Sequence, residues 1–343
     1  MNTREKVYIL LKNSKKELSV SDIVQKIATK NRTYISKCLS ELQKSHKLES
    51  RKSGRQIFYK ISETEIYYEE NLDFNSIHDE EIWKAIKISL PDNISENTEN
   101  ILFFAFSEML NNAIDHSKSN YAYVKVWREK DTVKFIVEDK GIGVFRSLMS
   151  KKGYKDEIEA IGELVKGKVT TAPKWHSGEG IFWTSKIADR FALSSFNYRL
   201  TIDTVIDDYA IELLDESERI FGTKVQFEIE LATQKSLMHL FEKYSLNRET
   251  YSFDTTMIPV KLYQSGEVWI SRSQAKRILS GLEKYRKIIF DFKGIKIVGQ
   301  AFVDEIFRVF SIHHPEIELE PINMNKSVKM MVERALSDQT GRD

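Results

Sequence analysis

The stretch FSEMLNNAIDH, residues 106–116, sets Glu108, Asn111, Asn112 and Asp115 into an apolar run, NILFFAFSEMLNNAIDH. Offsets of three, four and seven bring these four onto one face of a helix. Leu102, Phe106, Met109 and Ala113 fall on its other side. A carboxylate one helical turn before an amide has chemical uses. The glutamate could orient and deprotonate a hydroxyl or water. The asparagine could give magnesium the one protein oxygen it needs when phosphates supply the rest. Three further segments suit the same chemistry. VKFIVEDKGIGVF carries Asp139 at the end of a strand pattern, before Gly141 and Gly143. Such an aspartate can receive an adenine amino group while the glycines let the chain bend close to the ring. KWHSGEGIFWTSKIADRF places Gly178 and Gly180 at a helix start, where backbone N–H groups can face phosphates. FGTKVQFEIEL sets Gly222 and Thr223 before a strand.

In this order and spacing the four segments resemble the N, G1, G2 and G3 boxes of the GHKL ATPase superfamily, over about residues 78–231. The resemblance implies a site for ATP and Mg2+. It implies Glu108 as general base and Asn112 as the magnesium ligand. Asp139 would meet adenine, Gly141 and Gly143 would shape that loop, and Thr223 would join the adenine-site hydrogen bonds. Gly178 and Gly180 would form the phosphate turn. Residues 144–176 fall where the superfamily has a mobile lid, in which Lys168, Thr170, Thr171 and His176 are polar groups that could reach phosphates. SEMLNNAIDH and SGEGIFWTSKIADRF look closest to the anti-sigma-factor kinases. Histidine kinases need a phosphoacceptor histidine on a dimerising hairpin ahead of the first box. The stretch after His78 is too short for one, and Asp115 stands where those kinases often have lysine. No second domain resembling the transducer of gyrases or chaperones is evident.

The elements that must position these residues belong to an α+β, multidomain chain: a winged helix, then a GHKL α/β sandwich with a mixed sheet under helices, then a STAS-like βα domain. Residues 1–62 read as three short helices and a hairpin. Ile35, Leu39 and Leu42 share one face of the third helix; Arg32, Thr33, Ser36 and Lys37 share the other. The hairpin LESRKSGRQIFYKI turns at Ser53-Gly54 and carries Arg51, Lys52 and Arg55. A winged helix would put the third helix in a major groove and the hairpin on phosphates. The charge agrees. Residues 1–62 hold 15 Lys/Arg against 5 Asp/Glu, while the whole chain carries only +1; a basic first segment suits double-stranded DNA. Residues 63–77 read as an acidic linker, 78–231 as the ATP-binding domain, 232–254 as a helical connector and 255–343 as the STAS-like domain.

That last assignment rests on KIIFDFKGIKIVGQAFVDEIFRVF, which resembles the central strand and following helix of STAS domains. The antagonists of that family carry a phosphorylated serine at the helix start. Here the aligned residues are Gly299, Gln300 and Ala301, without a hydroxyl. The expected strands are EVWIS, KIIFDF and EIELEPI. Phe302, Ile306, Val309 and Phe310 are core candidates, and Asp304 and Glu305 are expected on a solvated face. The 41% hydrophobic content is that of a folded protein. No apolar run reaches the length of a membrane span, and the broken apolar N-terminus does not suit a signal peptide. A single cysteine, Cys38, excludes an internal disulfide and fits a reducing cytoplasm. The function expected is a nucleotide-gated DNA-binding regulator that hydrolyses ATP slowly, with a homodimer and a protein partner for the STAS-like domain as its assemblies. The alternative is an anti-sigma-factor-like serine/threonine kinase acting on a separate partner.

Overall fold

A computed structural model describes residues 3–340 apart from 15, 29–30, 45–46, 63, 77–78, 92, 170–177, 248, 250 and 264–270. Thr170, Thr171, His176, His78 and most of EVWIS lie outside the described residues. Three sheets organise the described residues. No described helix is long and apolar enough to cross a membrane.

The first unit orders α1 (Thr3–Lys12), β1 (Leu18–Ser19), α2 (Val20–Ile27), α3 (Arg32–Lys44), β2 (Leu48–Ser53) and β3 (Gln56–Ile61). Ser19 and Asp22 close a capping box that fixes the start of α2. Val7, Leu11, Ile23, Ile35, Cys38, Leu39 and Leu42 form its core. β2 and β3 pair antiparallel as a hairpin, with β1 on the other side of β3.

The central unit begins at once. β4 (Thr64–Asp73) replaces the expected linker and forms one edge of a seven-stranded sheet. Its sequence hid this because the pairing register shifts between Ile66 and Tyr68. Such a bulge breaks the two-residue alternation by which a strand is read. After α4 (Asp79–Ser89) and α5 (Glu96–His116) come β5 (Tyr121–Glu129) and β6 (Thr132–Asp139). A helical crossover follows: α6 (Val144–Lys152), α7 (Glu157–Lys166) and α8 (Gly180–Ile187). Then β7 (Arg190–Phe196), β8 (Tyr198–Asp203), β9 (Asp208–Leu213) and β10 (Ile220–Glu230) complete the sheet, in the order β4-β5-β6-β10-β7-β8-β9. Every pairing is antiparallel, where a mixed sheet was expected. The crossover returns β7 parallel to β6, but β10 inserts between them and opposes both. Val133, Phe135 and Val137 alternate into the core from β6. Phe135 stacks on Phe227 and meets Phe106 of α5 edge-on. This packing fastens α5 across the sheet and fixes which of its residues face inward.

The last unit holds α9 (Leu237–Lys243), β11 (Thr255–Pro259), α10 (Arg272–Leu279), β12 (Lys287–Asp291), α11 (Gln300–Asp304), α12 (Ser311–His313), β13 (Glu318–Ile322) and α13 (Lys326–Thr340). Its sheet is parallel, β11-β12-β13. Its first strand is TTMIP, which the sequence reading did not mark. A π-helical turn, Glu305–Phe310, joins α11 to α12. The extra residue per turn advances the phase, so Phe307 is buried and Val309 only half-buried, beside buried Phe302, Ile306 and Phe310. It also turns Glu305 inward, facing Arg272 and Lys276, while Asp304 binds Arg308. Neither acid lies on the solvated face expected.

Candidate active site

Four separated segments meet at one cavity of about 300 Å³. α5 contributes Glu108, Asn112 and His116, at successive intervals of four. Asn111 and Asp115 are exposed and do not line it. The four-residue polar stripe therefore resolves into a cavity row and a solvent row. His116 extends the cavity row, a spacing the sequence offered and the stripe reading missed. β6 and the loop after it supply Asp139 and Gly143; β10 supplies Thr223; the start of α8 supplies Gly178 and Gly180. Met109, Val137, Leu148, Leu164, Leu193 and Val225 give the cavity apolar walls suited to a flat ring. They come from three helices and three strands, and no local motif marks Leu148, Leu164 or Leu193.

Asp139 is 4% exposed. Its Oδ1 accepts the N–H of Gly141 at 2.8 Å and of Thr223 at 3.3 Å. Gly141 thus shapes the site through its backbone although it does not line the cavity. Burial pushes the Asp139 carboxyl above its usual range, opposed by these N–H groups and the Thr223 hydroxyl. Thr223 sits opposite Asp139 in the strand register, and its Oγ1 accepts the Val144 N–H at 3.0 Å. β6, β10 and the start of α6 are tied together at this point.

Gly222 makes the tie possible. It lies in a β10 bulge at φ +95°, and a Cβ there would fall 2.3 Å from Asp139 O and 2.7 Å from Gly141 N. Gly222→Ala should lower stability by roughly 2–4 kcal/mol and disrupt the cavity. Gly54→Ala, at φ +59° with nothing nearby, should cost only about 1 kcal/mol. Thermal unfolding of the two variants checks the contrast.

Glu108 lies against the turn that opens α8. A Cβ at Gly180 would fall 2.1 Å from Glu108 Oε2, so only glycine lets this carboxylate reach that helix start. Gly178 has φ +75°, and its carbonyl accepts the Val169 N–H at 3.2 Å. No side-chain bond caps α8 among the described residues, so its first N–H groups stand beside Glu108 and the cavity. A carboxylate, an amide and a helix start on adjoining walls suit a polyphosphate whose charge needs dipoles and a cation. Among the described residues no group of three His, Cys, Asp or Glu side chains could hold a metal alone. That donor set fits magnesium, which takes much of its coordination from phosphates and water. Lys168 points elsewhere: its ammonium lies over the rings of Tyr285 and Phe253.

In the first unit, Arg32, Thr33, Ser36 and Lys37 are exposed on α3, opposite its buried row. Arg51, Lys52 and Arg55 are exposed on the hairpin. Arg51 is bonded to Glu17 at 2.8 Å.

Two known families match parts of this chain. Residues 97–233 match the family of histidine kinase-, DNA gyrase B-, and HSP90-like ATPases. Residues 274–329 match a STAS-like domain of unknown function (DUF4325). The chain therefore contains a GHKL-superfamily ATPase domain followed by a STAS-like domain. No curated protein matches it.

Proposed function

We propose that this chain is a nucleotide-gated DNA-binding regulator that binds ATP with magnesium and hydrolyses it slowly. The observation that carries the nucleotide part is the convergence of Glu108, Asn112, Asp139, Thr223, Gly178 and Gly180 on one cavity. Asp139 would accept the adenine amino group, with Thr223 and the N–H of Gly141 holding its carboxylate in place. Asn112 would offer an oxygen to magnesium, and the start of α8 would face the phosphates. Glu108 would take a proton from the attacking water. Magnesium, when bound, would spread the negative charge of the phosphates.

The regulatory part rests on the first unit. Three helices and a hairpin in this order fit a winged helix, and its exposed α3 face and hairpin are basic. β3 ends at Ile61 and β4 starts at Thr64, so this unit joins the edge of the ATP-binding sheet almost directly. A shift of that sheet would be felt by α3 without a slack linker between them. The single buried cysteine suits a cytoplasmic protein. In the kinase alternative, Glu108 would activate a hydroxyl of a separate protein. Transfer of labelled phosphate from ATP to protein, rather than release to solvent, would favour that alternative.

DNA affinity should fall steeply with salt, because each neutralised phosphate releases counterions. Arg32→Ala with Lys37→Ala should weaken binding of duplex DNA by the full chain on the order of tenfold or more and flatten the salt slope by about 2. Lys16→Ala should do much less. Filter binding across a salt series checks this; an unchanged slope in the double variant would place any DNA contact elsewhere.

A further inference from the structure

Residues 162–169 face two ways. Leu164 and Val169 line the cavity. The groups around them are held by the C-terminal unit. Lys166 is wholly buried; its ammonium pairs with Glu163 and donates to Ser280 O at 2.8 Å and Arg277 O at 3.5 Å. Its carbonyl accepts two hydroxyls, Thr256 Oγ1 at 2.7 Å and Tyr285 Oη at 2.6 Å. One turn earlier, Gly162 O accepts Tyr263 Oη at 2.6 Å. A Cβ at Gly162 would fall 2.7 Å from that tyrosine ring. Lys284 Nζ donates to Lys168 O at 3.3 Å.

The other flank of segment 170–177 is held as well. Phe182 and Trp183 of α8 belong to the core of the C-terminal unit, packed on Phe253 with ring centroids 4.4 and 4.8 Å away. A buried lysine–glutamate pair is tolerable only where the remaining donors and acceptors are satisfied. This contact therefore has one register. Leu164 and Val169 cannot withdraw from the cavity without breaking those bonds or carrying the C-terminal unit with them.

We propose that Thr256 and Tyr285 are positioning residues for the nucleotide: by fixing the Lys166 carbonyl they hold Leu164 and Val169 against the cavity, so ATP binding and docking of the STAS-like domain are one linked equilibrium. The inference rests on the nucleotide reading above. A wall already in place spares ATP the cost of ordering it. By reciprocity ATP tightens the docking by the same factor.

The test uses the full chain with Thr256→Val and Tyr285→Phe combined, which keeps both side-chain volumes and removes both hydroxyls. ATP affinity by calorimetry should fall on the order of tenfold. Amide exchange across 162–169 should quicken without nucleotide, and ATP should slow exchange in 255–259 less than it does in wild type. Thr256→Ser, which keeps the hydroxyl, should retain wild-type affinity and exchange, separating positioning from general damage to the fold. A wild type that takes ATP and a double variant that takes it equally well would overturn the coupling alone. A wild type that takes no ATP would overturn the nucleotide reading and the coupling with it.

Discussion

Asp139→Asn should reduce ATP affinity by on the order of a hundredfold or more, with little change in fold. The reason lies in how the carboxylate is already used. Oδ1 accepts from the Gly141 and Thr223 N–H groups, leaving Oδ2 capacity to accept a ligand proton. In asparagine the one oxygen would stay with those two donors, and the amide NH2 would meet the adenine amino group, donor against donor. Calorimetry with ATP checks this, and unchanged affinity would remove Asp139 from the adenine site. A pH series gives a second reading. Burial raises the Asp139 pKa above the ordinary 3.8, so as pH falls this carboxylate protonates before an exposed one. ATP affinity should therefore decline from a higher pH than an ordinary aspartate would give. For the empty protein the sign is opposite. The buried ionised carboxylate costs stability at neutral pH, and the cost fades as pH falls through the raised pKa.

Glu108→Gln should leave ATP bound and abolish turnover, lowering phosphate release by about 10²–10⁴-fold. Glutamine has nearly the same shape, so it still fits against Gly180, where the glutamate carboxylate now lies. It cannot take a proton at neutral pH. Asn112→Ala should behave differently. It removes the oxygen offered to magnesium four residues along the same helix face, so magnesium-dependent binding should weaken together with turnover. If the regulator reading holds, the Glu108 variant keeps the DNA affinity of the ATP state, while wild type relaxes as ATP is consumed. The paired measurement is ATP retention and phosphate release under one set of conditions. Equal release from wild type and the Glu108 variant would show that this glutamate is not the base.

The segments that meet at the cavity were legible because each is a short motif with its own physical logic. Asp139 before two glycines, a glycine pair at a helix start and Glu108 four residues before Asn112 are patterns of type and spacing. What they could not show was membership of the stripe. Asn111 and Asp115 satisfy the same helical offsets as Glu108 and Asn112, but the packing of Phe106 on Phe135 rotates α5 so that the row through His116 faces the cavity. By sequence, Lys168 is one of the polar lid groups that could reach phosphates. Lys168 instead meets aromatic rings of the C-terminal unit, more than 80 residues away in sequence.

The sequence by itself determined the α+β class, the three helices and hairpin of the first unit, and the strand or helix on which each motif lies, because periodicity, caps and glycine turns act over a few residues. The tertiary structure decided what depends on distant chain. It made β4 a strand through a bulge that hides its alternation, and made the sheet wholly antiparallel by inserting β10 between β6 and β7. It turned Glu305 inward through a π-helical turn. Above all it placed Lys166 where Ser280, Thr256 and Tyr285 satisfy it. Its ammonium is held by Glu163 three residues away and by the Arg277 and Ser280 carbonyls, and its own carbonyl by the Thr256 and Tyr285 hydroxyls; no local pattern can announce the distant partners.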